Sequence, residues 1–284
     1  MNMKSVKSII GSVIALTMVS CSSYMKVEKS HDYVYKYEMA KTYYAEGYYN
    51  RSSLLLQEVV LSLKGTDKGE ESLYLLAMAN YKARAYDAAH TYFKKYYTSY
   101  PKGLFAEEAY FYSGCSLYNQ VPETKLDQSA TYEAVQEFQD FSELFPASRF
   151  NEAVQNYLFD LQDKLVEKEY LSAKLYYDLG SYFGNCANGG SNFQACIVTA
   201  ENAIRDYPYT SRREEFAILI LRAKFDLAKQ SVESKKEERY HNAIDEYYGF
   251  TNEFPESKYM SEAQSLFAKA QKYVKDGKET ETNE

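Results

Sequence analysis

The chain has 284 residues, of which 45% are apolar and 26% charged, a globular composition that excludes a largely disordered or collagen-like polymer. Its 12 glycines and 5 prolines are too few for the turns of a many-stranded sandwich or barrel, so helix is favoured. The 31 tyrosines, with no tryptophan, must fill a core, line a binding surface, or do both.

The first residues are typical of a targeting segment and not of a folded element. Lys4 and Lys7 give a cationic start, and the apolar run from Ile9 to Val19 is too short to span a bilayer as a helix. We therefore predict a signal peptide over residues 1–20 that directs export. No later stretch approaches the ~20 apolar residues that a crossing helix requires.

Cys21 follows the targeting segment directly, preceded by Val19 and Ser20. A small residue before a cysteine at the end of an apolar run resembles the lipobox of bacterial lipoproteins, in which that cysteine carries the acyl chains. The resemblance implies that Cys21 is the lipid attachment site and that its acyl chains hold the protein on a membrane. The alternative is a secreted soluble protein with a cysteine at this place by chance.

The charge of the exported chain is strongly negative. Without residues 1–20, which contain two lysines, 31 basic and 40 acidic residues remain and the net charge is −9. This charge repels nucleic acid and anionic headgroups, so we expect no nucleic-acid partner and a membrane contact made through the lipid.

A pattern that marks the ends of helices recurs along the chain. Four of the 5 prolines follow an aromatic residue, and a small residue opens an apolar helix face upstream of each, always at the same distance. Apolar residues at i, i+4 and i+7 share one face of a helix. The four sets resemble helix B of the tetratricopeptide repeat (TPR), a helix-turn-helix unit of about 34 residues. They are Ala89, Phe93 and Tyr96 before Pro101; Ala134, Phe138 and Phe141 before Pro146; Cys196, Ala200 and Ala203 before Pro208; and Ala243, Tyr247 and Phe250 before Pro255.

The repeats predict an all-α fold, a superhelical solenoid of about five TPR helix-turn-helix units with a C-terminal capping helix. One TPR domain would cover residues 21–275, followed by a flexible tail over 276–284. Polar insertions at 119–129, 181–192 and 231–238 are expected to be surface loops or helix extensions between helix A and helix B. The predicted repeats are 30–64, 70–101, 106–146, 165–208 and 215–255, with the capping helix at 257–275.

Aromatic residues seven positions apart recur in the predicted first helices, helix A, of four repeats. By resemblance to TPR proteins, these positions line the concave groove in which extended peptides bind. The rings would then grip apolar and aromatic side chains of an unfolded segment, or they would simply pack one repeat on the next. The pairs are Tyr37 and Tyr44, Tyr74 and Tyr81, Phe111 and Tyr118, and Tyr170 and Tyr177.

The remaining cysteines and the histidines give little chemistry. Cys186 and Cys196 are the best candidates for a disulfide, because a flexible Gly189-Gly190 pair lies between them, but the sequence favours these cysteines and Cys115 as small apolar residues of the core. His31, His90 and His241 are dispersed and match no metal or nucleophile motif. We expect no enzyme activity, no cofactor and no metal.

The lipobox, the repeat number and two turn segments together resemble the BamD family. These TPR lipoproteins belong to the machine that assembles β-barrel proteins into the outer membrane of Gram-negative bacteria. The segments run from Ala134 through Phe141 to Phe145-Pro-Ala-Ser148, and from Ile204 to Pro208. The resemblance covers about residues 21–275, and the chain departs from the family in its loops at 119–129 and 181–192 and in its tyrosine content.

The resemblance implies two binding surfaces and a location. The N-terminal repeats would receive unfolded β-barrel precursors on the aromatic positions of helix A, from Tyr37 to Tyr118. The C-terminal repeats would dock on the outer-membrane insertase, with Arg205 contacting an acidic residue of that partner, although Arg205 could equally bond the terminal carbonyls of its own helix. We expect a protein lipid-anchored to the outer membrane and facing the periplasm. The alternative is another periplasmic TPR lipoprotein scaffold, serving envelope biogenesis or nutrient uptake.

Overall fold

The computed structural model describes residues 24–180 and 191–281, and the side chains of these ranges as far as residue 275. Its regular elements in these ranges are all α-helices, which confirms the predicted all-α class. They are α1 (24–28), α2 (Tyr33–Ala45), α3 (Tyr49–Ser62), α4 (Asp67–Lys82), α5 (Tyr86–Ser99), α6 (Ala106–Tyr118), α7 (Ser129–Leu144), α8 (Asn151–Asp178), α9 (Asn192–Asp206), α10 (Arg213–Lys229), α11 (Glu233–Glu253) and α12 (Met260–Glu281).

Consecutive helices pair as the TPR pattern predicts. Within the described ranges, helices α2 to α11 form five A/B hairpins in chain order, and α12 packs against α11 and α10. The helices fall into two compact units. The first contains the chain as far as Pro122 together with Asp127–Leu161, and the second contains Glu123–Leu126 and the chain from Gln162 onward.

The predicted helix B faces form the core of both units. The small and apolar residues of α5 and α7 are completely buried, and those of α9 and α11 are buried except for Tyr247, which is half-buried. The small side chains of helix B let helix A approach closely. On α6, a helix A, Gly114 allows the same close approach from the other side. A Cβ atom on Gly114 would lie 2.6 Å from the ring of Phe138, so this glycine permits the contact between α6 and α7.

The first two A-to-B turns use a left-handed residue at equivalent places. Gly47 has a φ of 82° after α2, and Arg84 has a φ of 62° after α4. In both turns the following N–H bonds a carbonyl five residues earlier, Tyr48 to Tyr43 at 2.8 Å and Ala85 to Asn80 at 2.9 Å. This is the Schellman ending, in which glycine is favoured because it has no Cβ.

The helix bounds differ most from the predicted repeat ranges at the start of α8 and the end of α12. Helix α8 begins at Asn151, well before residue 165, because its first turns bury Val154 in the core cluster around Phe138. Helix α12 continues to Glu281, beyond residue 275.

The three insertions divide between loop and helix. Residues 119–128 form the loop between α6 and α7, whereas 233–238 are the first turns of α11. Most of the insertion at 181–192 lies outside the described residues, as does Cys186. Cys115 and Cys196 are free and buried, and burial raises the pKa of each thiol to about 12.

Four equal loops connect a helix B to the helix that follows it, which is a helix A in three loops and the capping helix α12 in the fourth. Each helix B ends two residues before its proline, and the aromatic residue between them has φ between −129° and −126° and ψ between 62° and 67°. The carbonyl of this aromatic residue accepts a hydrogen bond from the residue two positions after the proline, at 2.9 to 3.1 Å. The loops thus fix the direction of each following helix. These aromatic residues are Tyr100, Phe145, Tyr207 and Phe254.

Candidate functional site

The first aromatic residue of each helix A lies under the start of the next helix A. Tyr74 stacks on Phe105, with ring centroids 4.3 Å apart and planes 8° apart, and Phe111 stacks on Phe150 at 4.2 Å and 10°. In the other two pairs a cation lies over the ring instead of an aromatic residue. Lys68 Nζ lies 5.2 Å from the ring centroid of Tyr37, and in the second unit Arg212 Cζ lies 4.9 Å from that of Tyr170. These contacts stabilise the packing of one repeat on the next.

Four of the tyrosine hydroxyls make a second connection between successive helices A. Each donates a hydrogen bond to a carboxylate of the next helix A: Tyr37 to Glu71 Oε2 at 2.6 Å, Tyr74 to Glu108 Oε2 at 2.7 Å, Tyr118 to Asp160 Oδ2 at 3.1 Å, and Tyr177 to Asp226 Oδ2 at 2.8 Å. Sequence reasoning missed the four acids. Its available signal was spacing, because the first two pairs are each 34 residues apart, one repeat length.

Burial and charge set the protonation of these groups. Burial, reinforced by the hydrogen bond to Glu108, raises the pKa of Tyr74 well above its usual value, so its hydroxyl stays a donor. Burial acts against ionisation of Glu71, but the hydrogen bonds from Lys41, at 2.7 Å, and Tyr37 outweigh it and lower the pKa of that carboxyl. Between the first two repeats, the neutral hydroxyl of Tyr37, whose pKa burial raises, therefore faces an ionised Glu71 carboxylate.

The second aromatic residue of each helix A lies nearer the turn to helix B and keeps part of its ring in solvent. Tyr44 contacts Tyr49 edge-on at 5.4 Å, and Tyr81 contacts Tyr86 at 5.6 Å and Tyr112 at 5.2 Å. All four second-position rings are half-buried. The other two contacts are Tyr118 with Tyr157 at 4.5 Å and Tyr177 with Phe193 at 5.6 Å.

The two readings of the aromatic pairs separate only in part by position, because Tyr74 and Tyr170 of the first position are half-buried like the second-position rings. The first-position rings pack repeat on repeat, and Tyr37 and Phe111 are only 3% and 7% exposed. The second-position residues combine packing with partial exposure. Peptide binding at any of these residues stays a prediction.

Arg205 lies in the last turn of α9 with its side chain 69% exposed. Its Nε lies 3.2 Å from Asp206 Oδ1, a contact with a neighbouring carboxylate and not with a terminal carbonyl. Tyr209, in the loop that follows, is 99% exposed. An exposed arginine and an exposed tyrosine four positions later suit a protein interface, where these residue types are enriched.

The described residues give little support for a metal site or a catalytic site. They contain no group of three or more histidine, cysteine, aspartate or glutamate residues placed to hold a metal ion. His90 Nδ1 lies 2.9 Å from Ser113 Oγ, but Ser113 is completely buried in α6 and its hydroxyl cannot reach a substrate. Within the same described ranges, none of the helices is long and apolar enough to cross a bilayer. Cys21 lies outside them.

Comparison with known proteins gives the family. The family model YfiO, described as an outer membrane lipoprotein, matches residues 30–190, more than half of the chain. The chain belongs to this family. It is the BamD family that the lipobox and repeats resembled, so that prediction is confirmed.

Two further comparisons add little. No curated protein matches the chain. Among solved structures, the TPR protein TTC0263 from the thermophile Thermus thermophilus matches with 13% identity over 84% of this chain and 98% of that chain, at a TM-score of 0.33. The likeness is weak at this identity and score, and the fold assignment rests on the helices themselves.

Proposed function

We propose that this protein is a non-enzymatic scaffold lipoprotein of the outer-membrane β-barrel assembly machine. It would be held on the outer membrane by acyl chains on Cys21 and face the periplasm. Its N-terminal repeats would bind unfolded barrel precursors and its C-terminal repeats the insertase. Membership in a family of outer membrane lipoproteins is the observation that carries the proposal.

The contacts of helix A suggest how a precursor would bind. Half-buried rings such as Tyr44, Tyr81 and Tyr118 keep a fixed orientation because neighbouring rings hold them, so little rotamer freedom is lost on binding. The accessible faces suit apolar and aromatic side chains of an unfolded strand. Ordering that strand offsets much of the contact free energy, which keeps binding weak and release fast.

The scaffold needs no chemical step. A lipid-tethered protein that holds both precursor and insertase raises the effective concentration of one beside the other. Arg205 is the proposed insertase contact, because its exposed guanidinium is free to exchange Asp206 for an acidic residue of the partner.

Photo-crosslinking in living cells tests both surfaces. A photoreactive phenylalanine analogue replaces Tyr81 or Arg205 in turn, with matched controls at Tyr132, an exposed tyrosine on α7, and at Lys229, an exposed cation at the end of α10. We expect barrel precursors crosslinked from Tyr81 and the insertase from Arg205, with neither from the controls. The same abundant bystanders at all four positions would refute the proposal, and a different envelope protein at Arg205 would favour the alternative scaffold role.

A further inference from the structure

Exposed apolar side chains gather at the N-terminal end of the first unit. Met25 on α1, Tyr48 before α3, and Leu54 and Leu61 on α3 are 49%, 48%, 53% and 74% exposed. We call these four residues the N-terminal strip.

Tyr48, Leu54 and Leu61 of the strip belong to one surface, and Met25 is the chain neighbour of Tyr24, which lines that surface. Leu54 and Leu61 are seven residues apart on one face of α3, and both line an open groove with Tyr24 of α1. Arg51 joins this groove to Tyr48, because its guanidinium carbon lies 5.5 Å from the ring centroid of Tyr24 and 5.1 Å from that of Tyr48.

Helix α1 is fixed to the first repeat. Val27 is 2% exposed and packs in a cluster with Ala40, Leu55 and Leu56. Residue 24 and the strip therefore belong to one packed unit, and no flexible linker separates them.

Covalent geometry then limits the distance between the strip and the membrane. Tyr24 is three positions after Cys21, and even a fully extended chain spans only about 11 Å over that separation. An acylated cysteine lies at the boundary between headgroups and hydrocarbon, and the headgroup layer is about 5 to 8 Å thick on each side of a bilayer. Tyr24 and the groove beside it are thus held at the membrane surface.

Charge decides the kind of contact. Lys26 and Lys29 are balanced by Glu28 and Asp32 in the same segment. Glu58, on the groove wall, pairs with Lys36 at 2.5 Å. The surface is therefore not a basic patch that would attract anionic lipid, whereas leucine, methionine, tyrosine and arginine are side chains that suit the interface between water and lipid.

We propose that the N-terminal strip rests in the headgroup layer of the bilayer that holds the acyl chains of Cys21. This inference rests on the lipid attachment contained in the proposed function. The strip would orient the first repeat on the membrane, while the acyl chains supply the binding strength.

Fluorescence quenching in vesicles tests the strip on the full lipidated chain. Leu54→Cys and Leu61→Cys carry an environment-sensitive fluorophore in a Cys186→Ser background, where buried Cys115 and Cys196, with the pKa of each raised to about 12, resist labelling. Leu104→Cys and Leu144→Cys, at leucines 86% and 61% exposed elsewhere in the first unit, are the controls. The vesicles contain phosphatidylethanolamine and phosphatidylglycerol, with a nitroxide on a fraction of the headgroups.

We expect quenching at 54 and 61 at least about threefold stronger than at 104 and 144, and insensitive to added salt. Absent or equal quenching at all four positions, in protein that floats with the vesicles, overturns the strip but leaves the lipid anchor intact. Protein that neither floats nor shows an acylated N-terminal peptide by mass spectrometry overturns the anchor and the strip together. In cells, a photoreactive residue at 61 that yields protein adducts instead of lipid adducts assigns the strip to a partner and also overturns the inference.

Discussion

A single hydroxyl can decide how two repeats meet, and Tyr74 is the clearest case. Its ring is held between helices by Phe105, and its oxygen donates to Glu108 of the next helix A. Glu108 in turn pairs with Arg149, which lies just before α8. One tyrosine therefore connects three successive repeats through a stacked ring, a charge-assisted hydrogen bond and an ion pair.

Replacing Tyr74 with phenylalanine separates the ring from the hydroxyl. Tyr74→Phe keeps the stack on Phe105 but loses the bond to Glu108, so we expect the free energy of unfolding to fall by about 1 kcal/mol. Urea unfolding followed by circular dichroism measures the change. Tyr81→Phe is the matched control, because the structure gives that ring aromatic contacts, and it should change stability much less; equal losses in both variants would contradict the hydroxyl's role.

Buried tyrosines also predict a loss of stability in alkali. Burial, with Glu137 nearby, raises the pKa of Tyr110 to about 12, and burial, with Cys115 nearby, raises the pKa of Tyr157 to about 12. In the unfolded chain a tyrosine releases its proton near pH 10. Between about pH 10 and about pH 12 the unfolded state binds fewer protons than the folded state, so stability that is fully present below pH 10 is lost as the pH rises.

Urea unfolding at a series of pH values from about 9 to about 11.5 measures this slope. Tyr110→Phe should make the decline of the free energy of unfolding with pH shallower, by the slope that corresponds to at most one bound proton. Tyr209→Phe, at a residue 99% exposed, should leave the slope unchanged. A free energy of unfolding that stays constant across this range would show that the buried tyrosines do not couple to folding.

At the scale of elements, the loops between repeats show one geometry built with two chemistries. In three loops a hydroxyl two positions after the proline accepts a hydrogen bond from the N–H of the residue that precedes the next helix: Ser148 from Phe150 at 3.0 Å, Thr210 from Arg212 at 3.2 Å, and Ser257 from Tyr259 at 2.9 Å. The first loop has Gly103 there. In this loop the N–H of Phe105 donates instead to the hydroxyl of Tyr96, at 3.2 Å. The same hydroxyl donates a hydrogen bond to Glu70.

The substitution Tyr96→Phe should therefore cost more than an ordinary tyrosine truncation. It removes a bond to Glu70 and leaves the N–H of Phe105 without its acceptor, a loss of about 2 kcal/mol in the free energy of unfolding. Differential scanning fluorimetry and urea titration of the variant measure it.

Gly103→Ser completes this test as a double-mutant cycle. In the natural chain a Cβ at 103 would lie 2.7 Å from the Tyr96 hydroxyl and 2.5 Å from Glu70 Oε1, so we expect Gly103→Ser alone to destabilise. In the Tyr96→Phe background the hydroxyl is gone, and the new serine would bond Glu70 as Ser148 bonds Glu107 at 2.6 Å, so the same substitution should stabilise. Additive effects would mean that the two positions do not share this role.

At the scale of the whole molecule, the family assignment and the N-terminal signal lead to one cellular prediction. Radiolabelled palmitate supplied to growing cells should enter the natural protein, and Cys21→Ser should abolish the incorporation because the acceptor sulfur is lost. Cys186→Ser, which removes a cysteine far from the signal segment, is the control and should label normally. Equal labelling of the Cys21→Ser variant would place the acyl group on another residue, and no labelling of the natural protein would exclude acylation.

The sequence predicted helix B far better than helix A. Proline and the small residue four before a larger one mark helix B locally, and the buried Ala134, Phe138 and Phe141 are where the pattern put them. Helix A carries no such punctuation, so the start of α8 at Asn151 could not be found by counting back from Pro208. The acids that receive the tyrosine hydroxyls were missed because they lie 34 to 49 residues away, where only the fold brings them close.

The pairing of Gly103 with Tyr96 also constrains how this chain could have evolved. Consider an ancestral first loop with serine at position 103 and phenylalanine at position 96. Either substitution alone would lower the stability of the fold: glycine at 103 removes the acceptor of the Phe105 N–H, and tyrosine at 96 crowds the serine. The pair is therefore epistatic, and relatives should carry tyrosine with glycine or phenylalanine with serine far more often than the mixed genotypes. Duplicated repeats of this kind can share a backbone and yet no longer tolerate each other's mutations.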